Sequence, residues 1–341
     1  MQIELLKQWN IFLNNFPSSK RDIYFTEEYV KLYEDDNSEA VCLVISEEKN
    51  ILLMPFIRRA VFDSYYDFES AYGYGGPITN TDNSVWIQNA LKKSIKYLKN
   101  MGFVAGFTRF HPVLKNADLC RDNFTVIDDR FTVSINTEEN ADSIWTNQII
   151  SKNRNMIRKA EKNGLTFEAD YEFKELDAFI SLYNTTMKRL EADEFYFFDN
   201  KYYKKYVESF KGKSFLGLIK KDGLIVGAAM FMYDGIYGHY HLAGSNREYT
   251  TFGVNNLLLW NAAQEMHNNG IKNFHLGGGT SSSEDDSLFK FKSSFSKNLN
   301  QFSIGKLVIN ESIYKEICKD WENKNPEKVE KYGKLLLKYR Y

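Results

Sequence analysis

Cysteine is scarce in this chain of 341 residues. The three cysteines are Cys42, Cys120 and Cys318, and no two of them form a Cys-x-x-Cys pair. An odd number of widely spaced cysteines is not the pattern of a disulfide framework or of a zinc site. We therefore expect neither a structural disulfide nor a bound metal.

An excess of charge of either sign is also missing, since 44 basic and 45 acidic residues leave a net charge of −1. Any contact with phosphate must therefore depend on a local patch of basic residues.

The longest apolar run, 224–233, is too short to cross a bilayer. Residues 1–16 predict a short amphipathic helix without the features of a signal peptide. We expect a soluble cytoplasmic protein, with a peripheral position on a membrane left open.

The second half of the chain has a clear order of strand, turn and helix signals. Two β-rich runs, 214–220 and 224–234, flank a Lys-Asp-Gly turn and are typical of a hairpin. A third strand follows Asp234, and a helix over about 253–269 leads to a fourth strand that ends in "HLGGG". If the third and fourth strands are parallel, their crossover is right-handed.

The first half repeats this order. Its hairpin covers 40–46 and 51–62, its helix 84–100, and its fourth strand begins after Gly102 and ends in "TRFHP". The repeat predicts an α/β protein with mixed, α+β-type sheets in two tandem units.

A basic helix lies between the halves, over 151–163, with Ser151 as its predicted N-cap and Gly164 as its stop. Length allows two domains. We place the first at 1–150 and the second at 151–341, which includes the basic linker helix and a C-terminal strand and helices.

The order of these units resembles the GNAT acyltransferase fold, and its duplication resembles the FemABX group of peptidyl- and acyltransferases. The stretches that carry the resemblance occur in family order: "YGYGGP" (72–77), "SKNRNMIRKAEKNG" (151–164), "LYNTTMKRLEADEFYFF" (182–198), "HLAGSNREYTTFGVNNLLLWNAAQEMHNNGIKNFHLGGG" (241–279) and "SLFKFKSSF" (287–295). The resemblance covers most of the chain and implies an acyltransferase with two tandem GNAT-like domains.

The turn before the second helix is a candidate donor site, because a helix N-terminus presents free N–H groups to an anion. The resemblance places the pyrophosphate of coenzyme A there, which makes Gly253, Arg247 and Asn255 donor-binding candidates. The family normally has two spaced glycines in this turn, and here only Gly253 is present. An ordinary strand–helix turn remains the alternative.

Lys292 is the leading catalytic candidate. In the family a Phe–Lys pair after the glycine strand places a lysine at the transfer centre, and Phe291–Lys292 matches that pair. A cation there can stabilise the oxyanion of acyl transfer. Lys290 would share a face with Lys292 on a strand, whereas on a helix the two diverge by about 200°. The preceding glycines, Gly277, Gly278 and Gly279, are predicted to make room for the donor.

Several residues are candidates for the base. His239 and His241 share one strand face, and Tyr240 lies on the other. The acidic residues Glu284, Asp285 and Asp286 are alternatives, although they could form only a polar loop. A buried, hydrogen-bonded histidine pair is the structural alternative to catalysis.

Acceptor binding is assigned to cationic and aromatic residues whose alternative roles are salt bridges, solvated faces and core packing. They are Arg109, Tyr74, Arg154, Arg158, Arg189 and Tyr196. The predicted reaction is transfer of an acyl group, preferably acetyl from acetyl-coenzyme A, to an amine of a sugar or cell-envelope glycan precursor. Two alternatives remain open: aminoacyl transfer from charged tRNA to a peptidoglycan precursor, and a GNAT-like module that binds without turnover. The partner is accordingly a nucleotide- or lipid-linked sugar or peptide precursor, with tRNA under the first alternative.

Overall fold

The computed structural model describes residues 1–62 and 64–341. Its strands are β1 (Gln2–Leu6), β2 (Ser38–Glu47), β3 (Asn50–Phe62), β4 (Tyr65–Glu69), β5 (Ile78–Thr79), β6 (Phe103–Arg109), β7 (Thr125–Asn136), β8 (Leu165–Asp170), β9 (Ser214–Lys221), β10 (Leu224–Asp234), β11 (Tyr237–Ser245), β12 (Asn273–Gly278) and β13 (Asn298–Val308). The α-helices are α1 (Asn10–Leu13), α2 (Glu27–Val30), α3 (Ser84–Asn100), α4 (Ala141–Ser143), α5 (Ser151–Lys162), α6 (Leu176–Arg189), α7 (Asn200–Ser209), α8 (Val254–Asn268), α9 (Ser287–Ser293), α10 (Glu311–Lys324) and α11 (Val329–Tyr332).

The chain forms two compact units, residues 1–129 with 301–341 and residues 130–300. The chain passes from the first unit to the second within β7, and it passes back to the first within β13. This division differs from the predicted one at 150/151, because the strand signal of β7 was not recognised and the C-terminal segment was assigned to the second half. Residues 1–16, predicted as one helix, contain the strand β1 and the short helix α1.

The first unit has a sheet in the order β1-β2-β3-β4-β6-β13, with β5 pairing β3. The hairpin β2–β3 is antiparallel, as the repeat predicted, and β4–β6 is parallel, which the sequence left open. The helix α3 places Ile87, Leu91 and Leu98 in the core, and Gly102, with a φ of 84°, ends it.

The second unit has a sheet in the order β7-β12-β11-β10-β9-β8. Its hairpin β9–β10 is antiparallel, and β11–β12 is parallel across the helix α8. The core of this unit includes Leu257, Leu258, Ala262 and Met266 of α8. The mixed parallel and antiparallel sheets and the two units with the same order of elements agree with the predicted fold class.

The basic linker helix α5 begins at Ser151, with Ile150 in the N-cap position and no side-chain cap. The predicted Ser151 cap is therefore wrong, because the Ser151 hydroxyl accepts a hydrogen bond from Arg154 instead. Gly164 follows the helix with a φ of 73°, as a stop residue in the left-handed region does.

Candidate active site

The parallel strands β11 and β12 separate towards their carboxyl ends. Their pairing runs from Tyr237–Asn273 to His239–His275, while β11 continues to Ser245 and β12 to Gly278. The backbone of β12 stays paired on its other side, with β7. The separation leaves an opening in the sheet beside the last residues of β12, where the glycines lie.

Each of the three glycines has a close neighbour that a side chain would meet. A Cβ atom on Gly277 would lie 3.1 Å from Lys292 Nζ, and one on Gly278 would lie 3.0 Å from the Phe131 carbonyl oxygen. On Gly279 it would lie 2.4 Å from an Asp286 carboxylate oxygen. The φ of 77° at Gly277 also belongs to the left-handed region. The space beside the glycines is thus shared with a lysine and an aspartate of this chain.

Lys292 lies in this opening. It is carried by α9 and is only 8% exposed, and its Nζ donates a hydrogen bond to the Gly278 carbonyl oxygen at 2.8 Å. The same nitrogen lies 5.7 Å from the centre of the Tyr240 ring on β11. Burial lowers the pKa of the Lys292 amine to about 8, with Asp286 acting in the opposite direction. The site therefore holds a buried cation next to both separating strands.

The "FKFK" stretch is helical, so its two lysines point in different directions. The Lys290 side chain is 60% exposed and pairs with Asp285 at 2.7 Å. The aromatic partners Phe289 and Phe291 pack against the core of the unit. The alternation thus anchors α9 through its aromatic residues and places only Lys292 inside.

The acidic candidates for the base are engaged within the chain. The Asp286 carboxylate accepts hydrogen bonds from the loop after the glycines, and the bond from Thr280 is the main cause that lowers its pKa. The bond from Lys290 lowers the pKa of Asp285. Glu284 is exposed. Bonds that stabilise a carboxylate weaken it as a base, so Asp285 and Asp286 are poor proton acceptors here.

The histidines lie on the other face of β11 from Tyr240. His239 is buried and its ring is 5.6 Å from that of His275. His241 Nε2 is 2.8 Å from the Tyr202 hydroxyl of α7, and burial, followed by the charge of His239, lowers its pKa to about 3. A neutral imidazole results at physiological pH. Burial raises the pKa of Tyr240, which keeps its phenol protonated.

The turn between β11 and α8 is packed against α5. Gly253 is buried with a φ of 87°, and a Cβ there would lie 2.6 Å from the Met156 carbonyl oxygen. Lys159 Nζ donates to the Thr251 carbonyl oxygen at 2.8 Å. Arg247 is exposed and Asn255 is half-buried. Helix packing therefore explains this glycine without a bound phosphate.

Two of the cations on α5 have structural contacts. Arg154 donates to the carbonyl oxygens of Trp145, Thr146 and Ile149, the last at 2.5 Å. The Arg158 guanidinium lies 5.2 Å from the Trp145 ring. These contacts fasten α5 to the preceding segment, and they support the structural reading of both arginines.

Arg189, the last residue of α6, lies at the end of β11, and Tyr196 lies in the segment that follows α6. Arg189 donates to the Ser245 carbonyl oxygen at 3.1 Å, and Tyr196 is 37% exposed. Phe195 and Phe197 of the same segment are 53% and 37% exposed, so they do not belong to the core.

Arg109 and Tyr74 belong to the first unit. Arg109 donates to the Ser70 carbonyl oxygen at 3.2 Å and lies 3.9 Å from Glu69. The Tyr74 ring lies 5.2 Å from Tyr24. These contacts support structural roles, and a role in acceptor binding remains a prediction for both residues.

The structure therefore brings together Lys292, Tyr240 and the three glycines, and it places His241 on the opposite face of the sheet. The sequence did not predict two contacts of the glycines. Arg130 Nη1 donates to the Gly279 carbonyl oxygen at 3.2 Å, and Asp286 lies against Gly279 as a loop anchor. The N-cap pattern of Asp286 before a helical "SLFKFKS" is the sequence signal that could have revealed the anchor.

Residues 150–293 match the family model described as "Acetyltransferase (GNAT) domain". A crystal structure of FemX superposes with a TM-score of 0.74 at 15% identity and covers 92% of this chain and 99% of its own. The C-terminal domain of a putative lysylphosphatidylglycerol synthetase from Agrobacterium fabrum gives 0.56 at 14% identity, covering 85% and 89%. A tandem GNAT protein from the clavulanic acid biosynthesis pathway gives 0.50 at 6% identity, covering 89% and 98%. No curated protein matches the sequence.

The match places residues 150–293 in the GNAT class of acetyltransferase domains, and this fold supports a transferase enzyme. Within that class, the chain has the duplicated GNAT-like fold of the FemABX-like proteins. In the described parts, 1–62 and 64–341, every helix is too short or too polar to span a membrane.

Proposed function

We propose that this protein transfers an aminoacyl group from the ester of a charged tRNA to an amine of a cytoplasmic cell-envelope precursor. The observation that carries the proposal is the Lys292 ammonium, held in the opening between β11 and β12 at 2.8 Å from the Gly278 carbonyl oxygen. An acyl carbonyl that enters this opening would meet a cation that is already desolvated.

The chemistry follows from that cation. A neutral acceptor amine attacks the ester carbon, and the oxyanion that forms accepts a hydrogen bond from Lys292 Nζ. The ester C–O bond then breaks, an amide bond remains, and one proton passes from the amine to the ribose oxygen that leaves. Because the lysine lies in a low-dielectric site, its charge stabilises the oxyanion more than a solvated ammonium would.

Two features support an ester donor over a coenzyme A thioester. The β11–α8 turn, which would hold the pyrophosphate of coenzyme A, is packed against α5 at Gly253. The similarity to FemX over 92% of the chain agrees with the FemABX-like alternative.

Acceptor and donor phosphates need cations that remain accessible. Lys152 and Lys162 are exposed on α5, and Arg189 has guanidinium donors beyond the one that binds Ser245. We assign these residues to phosphate binding, and Tyr196 to the acceptor.

The test offers the purified protein radiolabelled aminoacyl-tRNA or acetyl-coenzyme A, each with a panel of amino-sugar nucleotides and muramyl peptides. We expect product with aminoacyl-tRNA and a muramyl peptide. Lys292→Ala should lower kcat by about 100-fold to 1,000-fold, as loss of an oxyanion donor does. Lys290→Ala, on the same helix but exposed, is the matched control and should retain activity. Product from acetyl-coenzyme A alone, or full activity in Lys292→Ala, would contradict the proposal.

A second candidate is acetyl transfer from acetyl-coenzyme A to an amino sugar of a glycan precursor. The match of residues 150–293 to a GNAT acetyltransferase domain favours it. It requires the pyrophosphate to bind near Arg247 and Asn255 outside the α5 contact. Arg247→Ala should then raise the KM for acetyl-coenzyme A, whereas under the tRNA proposal it should leave the KM for the charged tRNA unchanged.

A further inference from the structure

The loop between the glycines and α9 is held by a single carboxylate. Asp286 Oδ2 accepts hydrogen bonds from the Thr280 and Ser281 backbone N–H groups at 3.0 and 3.1 Å. The same oxygen accepts from the Thr280 and Ser281 hydroxyls at 2.6 and 3.2 Å. Its partner Oδ1 accepts from the Phe289 N–H at 2.9 Å, in the N-cap position of α9. One side chain therefore joins the exit from β12 to the first turn of the helix.

The residue opposite this carboxylate has to be a glycine. A Cβ atom on Gly279 would lie 2.4 Å from Asp286 Oδ1 and 2.6 Å from its carboxyl carbon. Real Cβ atoms do not come so near, so a side chain here would displace the carboxylate. The third glycine of the "GGG" run thus serves the approach of Asp286.

Lys292 closes the same loop at its other end. Its Nζ binds the Gly278 carbonyl oxygen, directly before the segment that Asp286 holds. Lys292 of the short helix α9 and its N-cap residue Asp286 thus fasten the helix to the strand exit, Lys292 at Gly278 and Asp286 at 280–281. Residues 281–285 between these anchors are exposed, so the anchors rather than core contacts hold this part of the loop.

We propose that Asp286 is a positioning residue that clamps the Thr280–Ser281 loop to the start of α9 and thereby fixes the Lys292 ammonium beside Gly278. This inference rests on the proposed function of Lys292 for its effect on catalysis. Its structural part, the position of the ammonium, stands independently and can be measured without a substrate.

Other charged and titratable groups around the lysine have different contacts. Lys290 and Asp285 pair with each other on the exposed side of α9. Arg130 of β7 binds the Gly279 carbonyl oxygen, and Tyr240 of β11 presents its ring to the ammonium. Asp286 is the residue among them whose carboxylate binds both the loop and the helix.

The test uses three variants of the full chain. Asp286→Ala removes the clamp and the helix cap. Asp286→Ser keeps a cap for the Phe289 N–H but is too short to reach the loop, which separates the two contributions. Asp285→Ala is the matched control, because within residues 1–62 and 64–341 its carboxylate pairs with the exposed Lys290 alone.

The first readout needs no substrate: hydrogen exchange at Thr280 and Ser281, and reductive methylation of Lys292 followed by mass spectrometry. We expect both rates to rise in Asp286→Ala and in Asp286→Ser, and to stay at the wild-type value in Asp285→Ala. In the transfer assay we expect kcat to fall about 10-fold to 100-fold, with little change in KM, because a misplaced catalytic group affects the chemical step.

Wild-type exchange and methylation rates in folded Asp286→Ser would overturn the clamp. If Asp286→Ala does not fold, the exchange and methylation rates of Asp286→Ser alone test the clamp. Failure of the proposed function looks different: Lys292→Ala would keep its activity while the Asp286 variants still loosened the loop.

Discussion

Replacing Lys292 by methionine is expected to stabilise the protein at neutral pH while it removes activity. The amine has an ordinary pKa of 10.5, and burial lowers it to about 8. The folded state therefore binds this proton less tightly than the unfolded chain does. The separation of the two pKa values corresponds to about 3 kcal/mol by which the charged lysine opposes folding.

The sign of this effect sets its pH dependence. The cost is fully present below pH 8, declines as the pH rises from 8 to 10.5, and is absent above that range. Methionine retains an unbranched apolar chain but loses the hydrogen bond to Gly278, which offsets about 1 kcal/mol. We therefore expect Lys292→Met to gain about 2 kcal/mol at pH 7 and almost nothing at pH 9.5.

Urea unfolding at pH 7 and at pH 9.5 measures both differences, with hydrogen exchange of β12 and α9 reporting on the second unit. The exposed Lys290→Met is the control, and its effect should be small at both pH values. An Lys292→Met variant that is less stable than wild type at pH 7, or a difference that is the same at both pH values, would refute the reasoning. It would mean that the lysine is solvated in the folded state.

Three further predictions concern the surroundings of the site and the first unit. Gly253→Ala places a Cβ 2.6 Å from the Met156 carbonyl oxygen at a φ of 87°; we expect a loss of about 2 kcal/mol in thermal or urea unfolding, and unchanged stability with weakened donor binding would contradict this packing role. His241, with a pKa of about 3, should show no titration between pH 5 and 8 in histidine NMR spectra, and an inflection near 6.5 would show that it is solvated. Arg340→Ala removes a 2.8 Å hydrogen bond to the fully buried Asp67, which keeps its bond to Arg59. We expect the free energy of unfolding in urea to fall by about 2 kcal/mol. A decrease near zero would show that Arg59 alone is enough to balance the Asp67 charge.

The architecture was largely readable from the sequence, because local signals agreed with the fold. The turn before β10 and the helix-ending Gly102 and Gly270 mark the limits of elements, and the apolar face of α8 marks the core. The strand β7 was missed because its first half, "TVIDDR", is largely polar and contains no buried residue. Its membership of a sheet depends on pairing with β12, which is distant in sequence.

The site was readable in its main residue and not in its contacts. The resemblance selected Lys292, and the structure places that residue between the separating strands. Periodicity could not decide whether "FKFK" lies in a strand or in a helix. The helix α9 that contains it has only seven residues, which is too few to establish either pattern. The role of Asp286 depends on a loop that folds back, so that Asp286 contacts Thr280 and Ser281. No spacing rule predicts such a contact from the sequence.

The two units share one order of elements but differ in how far their parallel strands stay paired. In the first unit β4 and β6 pair as far as Glu69–Phe107, and contact continues at the Gly75–Phe110 bridge. The Phe68 ring occupies the space where Gly106 lacks a side chain, 2.0 Å from a Cβ position there. In the second unit pairing ends at His239–His275, and a lysine lies beyond it. Under the proposed function, the transfer chemistry therefore belongs to the second unit, where Lys292 lies. Phe68→Ala would leave a cavity in the first unit and reduce its stability, and it should not create a second transfer site there.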